Sequence, residues 1–266
     1  MPVLIVIPAR FASTRYPGKP LVELRGATGV ARSLIKRSWD AALAVEGIDK
    51  VVVATDDDRI ADAVHGFGGE VVMTSPDCAN GTERCAETLD RLAEDFDIIV
   101  NLQGDAPLTP AWFIEDLVAG LRANPQAQVA TPVLRTEGAT LNDLLADRRA
   151  GRVGGTTAVF GADHNALYFT KEVIPYTGKT YADHDETPVF HHVGVYAYRP
   201  DALRAYPAWD AGPLEQLEGL EQLRFLERGV PMLCVEVASR GRQFWELNNP
   251  EDVSRIEAML TEMGDP

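Results

Sequence analysis

The chain has 266 residues, 45% of them apolar and 24% charged, so it can bury a sizeable core and is not a disordered tail protein. Its 25 Lys and Arg against 40 Asp and Glu give a net charge of −15, which repels nucleic-acid backbones and anionic membrane surfaces. Three cysteines without CxxC spacing, Cys78, Cys85 and Cys234, support neither a disulfide framework nor a zinc ribbon and point to a reducing, cytoplasmic compartment.

The first apolar run, residues 3–7, reads as a buried strand. No basic region precedes it, no small-residue cleavage site follows, and no run in the chain reaches the roughly 18 residues that would cross a bilayer. A soluble, unprocessed protein is expected. Further strands are predicted at 50–54, 70–73, 98–102 and 128–133. Between them, 30–45, 57–67, 81–95 and 110–123 carry apolar residues at spacings of three and four, with Asp58 and Thr109 as helix caps. Near-continuous apolar strands alternating with such helices predict an α/β fold, a doubly wound, mostly parallel sheet over the first 130 or so residues.

Later the pattern loosens. Residues 142–157 and 171–188 read as exposed loops of a smaller insertion, followed by a strand at 192–198. A helix at 212–228 carries leucines at 214, 217, 220, 223 and 226, read as a buried face or a dimer seam, and a last strand falls at 232–237. The expected boundaries are 1–135, 136–212 and 213–266.

In an open parallel sheet, ligands bind beyond the carboxyl ends of the strands. The first strand leads into PARFASTRYPGKP, residues 8–20, with Arg10, Arg15, Lys19, the hydroxyls of Ser13 and Thr14, and Gly18; no acid precedes Glu23. Three cations among free backbone N–H groups make a site for a polyphosphate, where the plain alternative is a solvated basic turn. The loop is neither GxxxxGK[ST] nor GxGxxG, so P-loop hydrolase and Rossmann dehydrogenase readings lose support. The fourth strand ends in VNLQGDAPL, residues 100–108, where Asp105 is placed to hold Mg2+ or, more plainly, to cap the next helix. Asn80-Gly81 forms a turn, with Thr82 as the expected cap of the helix carrying Arg84.

Together with ATDD at 54–57, GGEVVMTSPD at 68–77, NGTERCAE at 80–87, HHVGVYAYR at 191–199, PLEQLEGLEQLR at 213–224 and PED at 250–252, these motifs resemble the CMP-Kdo synthetases, the 3-deoxy-manno-octulosonate cytidylyltransferases, over almost the entire chain. The resemblance implies a CTP-dependent nucleotidyltransferase that moves CMP to an acidic ulosonic acid and releases pyrophosphate. It implies a nucleotide-binding set of Pro8, Ala9, Arg10, Ser13, Thr14, Arg15, Lys19, Asn80, Gly81, Arg84 and Gln103, with Arg10, Arg15, Lys19 and Asp105 carrying catalysis. Gln103, His192, Tyr196, Glu221 and Gln222 then surround the acceptor, while Asp105 and the position of Asn248 hold Mg2+. A nucleotide-diphospho-sugar transferase-like core, an acceptor-binding and dimerisation insertion at 136–212 and a homodimer are implied as well.

Two positions depart from the family pattern. Ala106 stands where the family has an acid after GD, and Asn248 replaces its second magnesium aspartate. An amide adds no charge to a divalent cation. A less acidic site would suit a more strongly charged acceptor, so CMP transfer to a small phosphonate such as phosphonoformate is an alternative, and a non-catalytic nucleotide-binding protein is a second one.

Overall fold

The computed structural model describes residues 2–12, 16–153, 155–242, 245–247 and 249–266. The chain forms two compact units, Met1–Glu115 with Ser239–Pro266, and Asp116–Ala238.

In the first unit, β1 (Val3–Ala9) is followed by a hairpin of β2 (Glu23–Arg25) and β3 (Ala31–Ser33). Then come α1 (Leu34–Leu43), β4 (Lys50–Thr55), α2 (Asp58–Gly66), β5 (Val71–Met73), α3 (Gly81–Leu92) and β6 (Ile98–Leu102), and the chain leaves through α4 (Ala111–Ala123). The expected parallel sheet is present: β5, β4, β1 and β6 lie side by side in that order, each pair parallel. The chain winds outward from β1 through β4 to β5, then returns to place β6 on the other side of β1. In sheets wound this way, right-handed crossovers cover both faces with helices, and ligands bind where the winding reverses, which here is beyond the carboxyl ends of β1 and β6.

Burial follows the apolar runs. All five residues of β6 are buried, and only Pro8 of β1 is not fully so. The first helix starts later than its periodicity suggests, because Ala31–Ser33 pairs with β2 and the Ser33 hydroxyl accepts from Lys36 N. The caps also shift. Asp57 rather than Asp58 caps α2, and Asn80 rather than Thr82 caps α3, its Oδ1 accepting from Glu83 N at 2.9 Å. A cap must be extended with its side chain folded back onto the first turn, and Asn80 meets this at φ −147° and ψ −179°. Thr109 does not act as a cap: its Oγ1 is buried without a hydrogen-bond partner among the described residues.

In the second unit, β7 (Val129–Glu137) is followed by α5 (Gly138–Arg149), β8 (Thr157–Phe160), β9 (Ala166–Thr170), β10 (Glu186–His192), β11 (Val195–Tyr198) and α6 (Pro200–Ala205). The short helices α7 (Pro213–Glu218) and α8 (Leu223–Glu227) and strand β12 (Met232–Val237) complete it. Here β7 is antiparallel to β10 and β11 and parallel to β12, and β8 and β9 extend the sheet antiparallel beyond β10. After Ser239 the chain returns to the first unit, where α9 (Asp252–Glu262) packs Ile256, Met259 and Leu260 against Leu24, Leu34, Leu108 and Leu247.

Three expectations fail in this unit. Residues 142–149, read as loop, belong to α5, which seats Leu141 and Leu144 among many charges. The predicted strand 192–198 is two strands, broken at Val193-Gly194. The single helix over 212–228 is two, because Gly219 adopts φ +62° and ends α7. Nor do the leucines share one buried face: steps of three advance 300°, so the positions drift by 60° each time. Leu217 is 84% exposed while Leu223 is fully buried.

Candidate functional site

The first unit brings Pro8, Ala9, Arg10, Gly81 and Gln103 to the ends of β1 and β6. Glycines permit the close approach. A Cβ on Gly104 would sit 2.8 Å from the Pro8 carbonyl, and one on Gly81 would meet Asn101 and Gln103 side chains at 3.1 Å and Pro8 at 3.4 Å. Pro8, Gly81 and Gln103 thus lie together, with Asn80 capping the helix that begins there. Ala9 is buried, and Arg10 is exposed at the end of β1.

Gly18, at φ +72°, turns the loop so that Lys19 begins a short 3-10 turn. Lys19 Nζ then reaches Asp105 Oδ2 at 2.6 Å. This pair, joining the loop after β1 to the turn after β6, is the clearest feature of the site. Asp105 stands in a tight turn, Ala106 N donating to Gln103 O at 3.2 Å, and its own carbonyl accepts from Leu247 N at 2.9 Å. Ser13, Thr14, Arg15 and Asn248 lie outside the described residues.

Arg84 is placed differently from the other cations. It is 3% exposed, its guanidinium 3.2 Å from Asp56 and donating to Thr74 Oγ1, so it links the ends of β4 and β5 to α3. Ala106 is 1% exposed. An alanine there leaves Asp105 as the one carboxylate of this turn.

The second unit holds the expected acceptor residues His192, Tyr196, Glu221 and Gln222. His192 ends β10 and is 6% exposed. Its Nε2 is 3.0 Å from Thr131 Oγ1, which also lies 2.8 Å from Val195 O. The single hydroxyl proton goes to the carbonyl, so His192 donates through Nε2–H and its Nδ1 is unprotonated. Burial, with a smaller contribution from neighbouring His191, lowers the His192 pKa to about 3. It is a neutral hydrogen-bonding group, ill-suited to act as a general base. Its ring lies 5.6 Å from that of Tyr196, whose hydroxyl donates to Gln222 Oε1 at 3.1 Å. Gln222 is 2% exposed and its Nε2 has no hydrogen-bond partner among the described residues, leaving a donor for a bound oxygen. Glu221 is half-buried, and its backbone carbonyl accepts from Tyr206 Oη.

Sequence reading missed Thr131, which sets the His192 tautomer, because a buried threonine in an apolar strand carries no motif. It also missed Arg59, whose guanidinium lies 3.3 Å above the Phe11 ring.

A family model described as cytidylyltransferase matches residues 4–236. The 3-deoxy-manno-octulosonate cytidylyltransferase of Maricaulis maris is 47% identical, covering 100% of this chain and 99% of its own. The 8-amino-3,8-dideoxy-manno-octulosonate cytidylyltransferase of Shewanella frigidimarina is 40% identical over 98% of this chain and 99% of its own. A solved structure of CMP:2-keto-3-deoxy-manno-octonic acid synthetase in complex with CTP superposes with a TM-score of 0.83 at 33% identity, covering 99% of this chain and 100% of that one. The chain belongs to the cytidylyltransferase family, in its 3-deoxy-manno-octulosonate group.

Proposed function

We propose that the protein transfers CMP from CTP to 3-deoxy-manno-octulosonate or a close ulosonic acid and releases pyrophosphate. The observation that carries this reading is the Lys19–Asp105 pair at the carboxyl ends of β1 and β6, beside exposed Arg10, in a chain of the 3-deoxy-manno-octulosonate group. The anomeric hydroxyl oxygen of the sugar acid attacks the α-phosphorus and gives up its proton to solvent, and the bond to the oxygen bridging to the β-phosphorus breaks, so that oxygen leaves with pyrophosphate. Arg10, Arg15 and Lys19 offset the charge of the triphosphate and of the departing pyrophosphate. Pro8, Ala9, Ser13, Thr14, Asn80, Gly81 and Arg84 shape the nucleotide site. In the second unit, His192, Tyr196, Glu221 and Gln222 supply hydrogen-bonding groups for an acceptor. Since His192 is held neutral by burial, positioning and charge neutralisation supply most of the rate.

The residues also suit Mg2+. Asp105 Oδ2 faces Lys19, and no group of three or more His, Cys, Asp or Glu gathers at one point among the described residues. One carboxylate is enough for an ion that keeps its waters and draws further oxygens from nucleotide phosphates. Asp105, with Asn248 as a second neutral oxygen donor, would hold it, and bound Mg2+ supplies charge neutralisation at the phosphates.

We place the enzyme in the cytoplasm as a homodimer. Its three cysteines are free thiols, no helix among the described residues is long and apolar enough to cross a membrane, and Leu167 and Leu217 of the second unit are 68% and 84% exposed. The sugar acid is favoured over a phosphonate because the relatives at 47% and 40% identity are named for octulosonate acceptors. A pyrophosphate-release assay with CTP and Mg2+ across 3-deoxy-manno-octulosonate, its 8-amino analogue and phosphonoformate tests the reading. Fast release is expected with one of the sugar acids. Release with phosphonoformate alone would transfer the protein to phosphonate chemistry, and CTP binding without release would make it a nucleotide-binding protein.

A further inference from the structure

Arg59 opens α2, outside every set of residues assigned above. Its guanidinium forms a two-point pair with Asp57, Nε to Oδ1 at 2.9 Å and Nη2 to Oδ2 at 2.6 Å, and Asp57 is itself fixed as the α2 cap. The guanidinium is therefore presented flat, with its carbon 3.3 Å from the centre of the Phe11 ring. The Gly18 backbone packs close to the same ring: its N–H donates to Phe11 O at 2.9 Å, and a Cβ at Gly18 would lie 3.1 Å from Phe11 Cζ. The Phe11–Gly18 contact closes a neck within the loop of residues 8–20, and the cations Arg10 and Lys19 flank it by one residue on each side.

We infer that Arg59 is a positioning residue for CTP: stacked on Phe11, it clamps the neck of the loop and sets the spacing of Arg10 and Lys19 before the nucleotide arrives. The inference rests on the cytidylyltransferase reading above. A preset loop loses less conformational freedom on binding a triphosphate, so the clamp strengthens CTP binding and leaves the chemical step and the acceptor alone. A solvent-accessible cation–π contact of this kind corresponds to about two- to fivefold in affinity.

The test is a double-mutant cycle in the full chain, with KM for CTP, KM for the acceptor, kcat and the thermal midpoint measured for Arg59→Ala, Phe11→Leu and the pair. Each single change should raise KM for CTP by about two- to fivefold, with kcat and acceptor KM unchanged. The double variant should be no worse than either single one, and Arg59→Lys should recover part of the loss. Additive effects would overturn the clamp, as would an unchanged KM for CTP or parallel losses in acceptor KM and thermal midpoint. A rise with Arg59→Ala that Phe11→Leu does not reproduce would mean that Arg59 contacts the nucleotide directly. Absence of CTP-dependent turnover in the unmodified protein would count against the cytidylyltransferase reading, an outcome distinct from these.

Discussion

The first unit leaves two of its proposed phosphate-binding cations at the rim of the sheet, while Arg84 is buried against Asp56. Arg10 is exposed, and Lys19 shares one partly open carboxylate, Asp105. The second unit treats charge in the opposite way. Arg224 and Glu215 are 5% and 7% exposed and joined by two bonds of 2.7 Å, while the site residues His192, Tyr196 and Gln222 are buried and uncharged. The contrast matches the proposed ligands. A triphosphate brings several charges, and solvated cations can meet them without a prior desolvation cost. A sugar acid is mostly hydroxyls, best read by fixed donors and acceptors that water does not reach.

The largest expected effect comes from breaking the buried pair. Arg224→Ala strands Glu215 in the interior and should lower the unfolding free energy by about 3–5 kcal/mol, read by chemical denaturation. Replacing both residues with apolar ones of similar size should restore most of it. The rim pair should respond in turnover instead of stability. Lys19→Ala or Asp105→Asn should cut the rate of pyrophosphate release by on the order of a hundredfold, with the denaturation midpoint little changed. For Asp105→Asn the dependence on added Mg2+ should weaken as well, and an unchanged magnesium titration would remove Asp105 from the metal.

A smaller effect is expected at Gly18. Gly18→Ala places a side chain at φ +72° and 3.1 Å from the Phe11 ring, and should cost about 1–2 kcal/mol, seen mainly as weaker CTP binding. A further effect, spread over several pH units, lies in titration. His192 is lowered from 6.5 to about 3, so below about pH 6.5 the unfolded chain takes up a proton that the folded chain refuses. Stability is full above that pH and should fall as pH drops toward 3, by about 1.4 kcal/mol per unit from this group. His192→Gln should flatten that slope, and an equal slope in both proteins would place the titration elsewhere.

Much of the first unit could be read from the sequence because its signals are local. A continuous apolar strand such as 98–102 followed by Gly104 and Asp105 announces both a buried strand and a loop at its carboxyl end. Charge segregation did the same for residues 8–20. The second unit is less legible. Strand β8, Thr157–Phe160, is short and follows a Gly- and Arg-rich stretch, and it becomes a strand through pairing with β10, thirty residues on. Equal spacing of leucines suggested one helix face where Gly219 ends the helix. The hydrogen bonding of His192 was out of reach too, since its partner Thr131 lies 61 positions away. The net charge of −15 stands in the same light: it excludes long polyanions but does not describe the acid-free first 22 residues, where one triphosphate would bind.

The most direct test of the account follows the α-phosphorus itself. With α-labelled CTP, Mg2+ and 3-deoxy-manno-octulosonate or its 8-amino analogue, the account predicts that label moves into a CMP–sugar acid ester in step with pyrophosphate release, and that Lys19→Ala suppresses both. Label that stays in CTP with both sugar acids, or that moves to phosphonoformate alone, would contradict it.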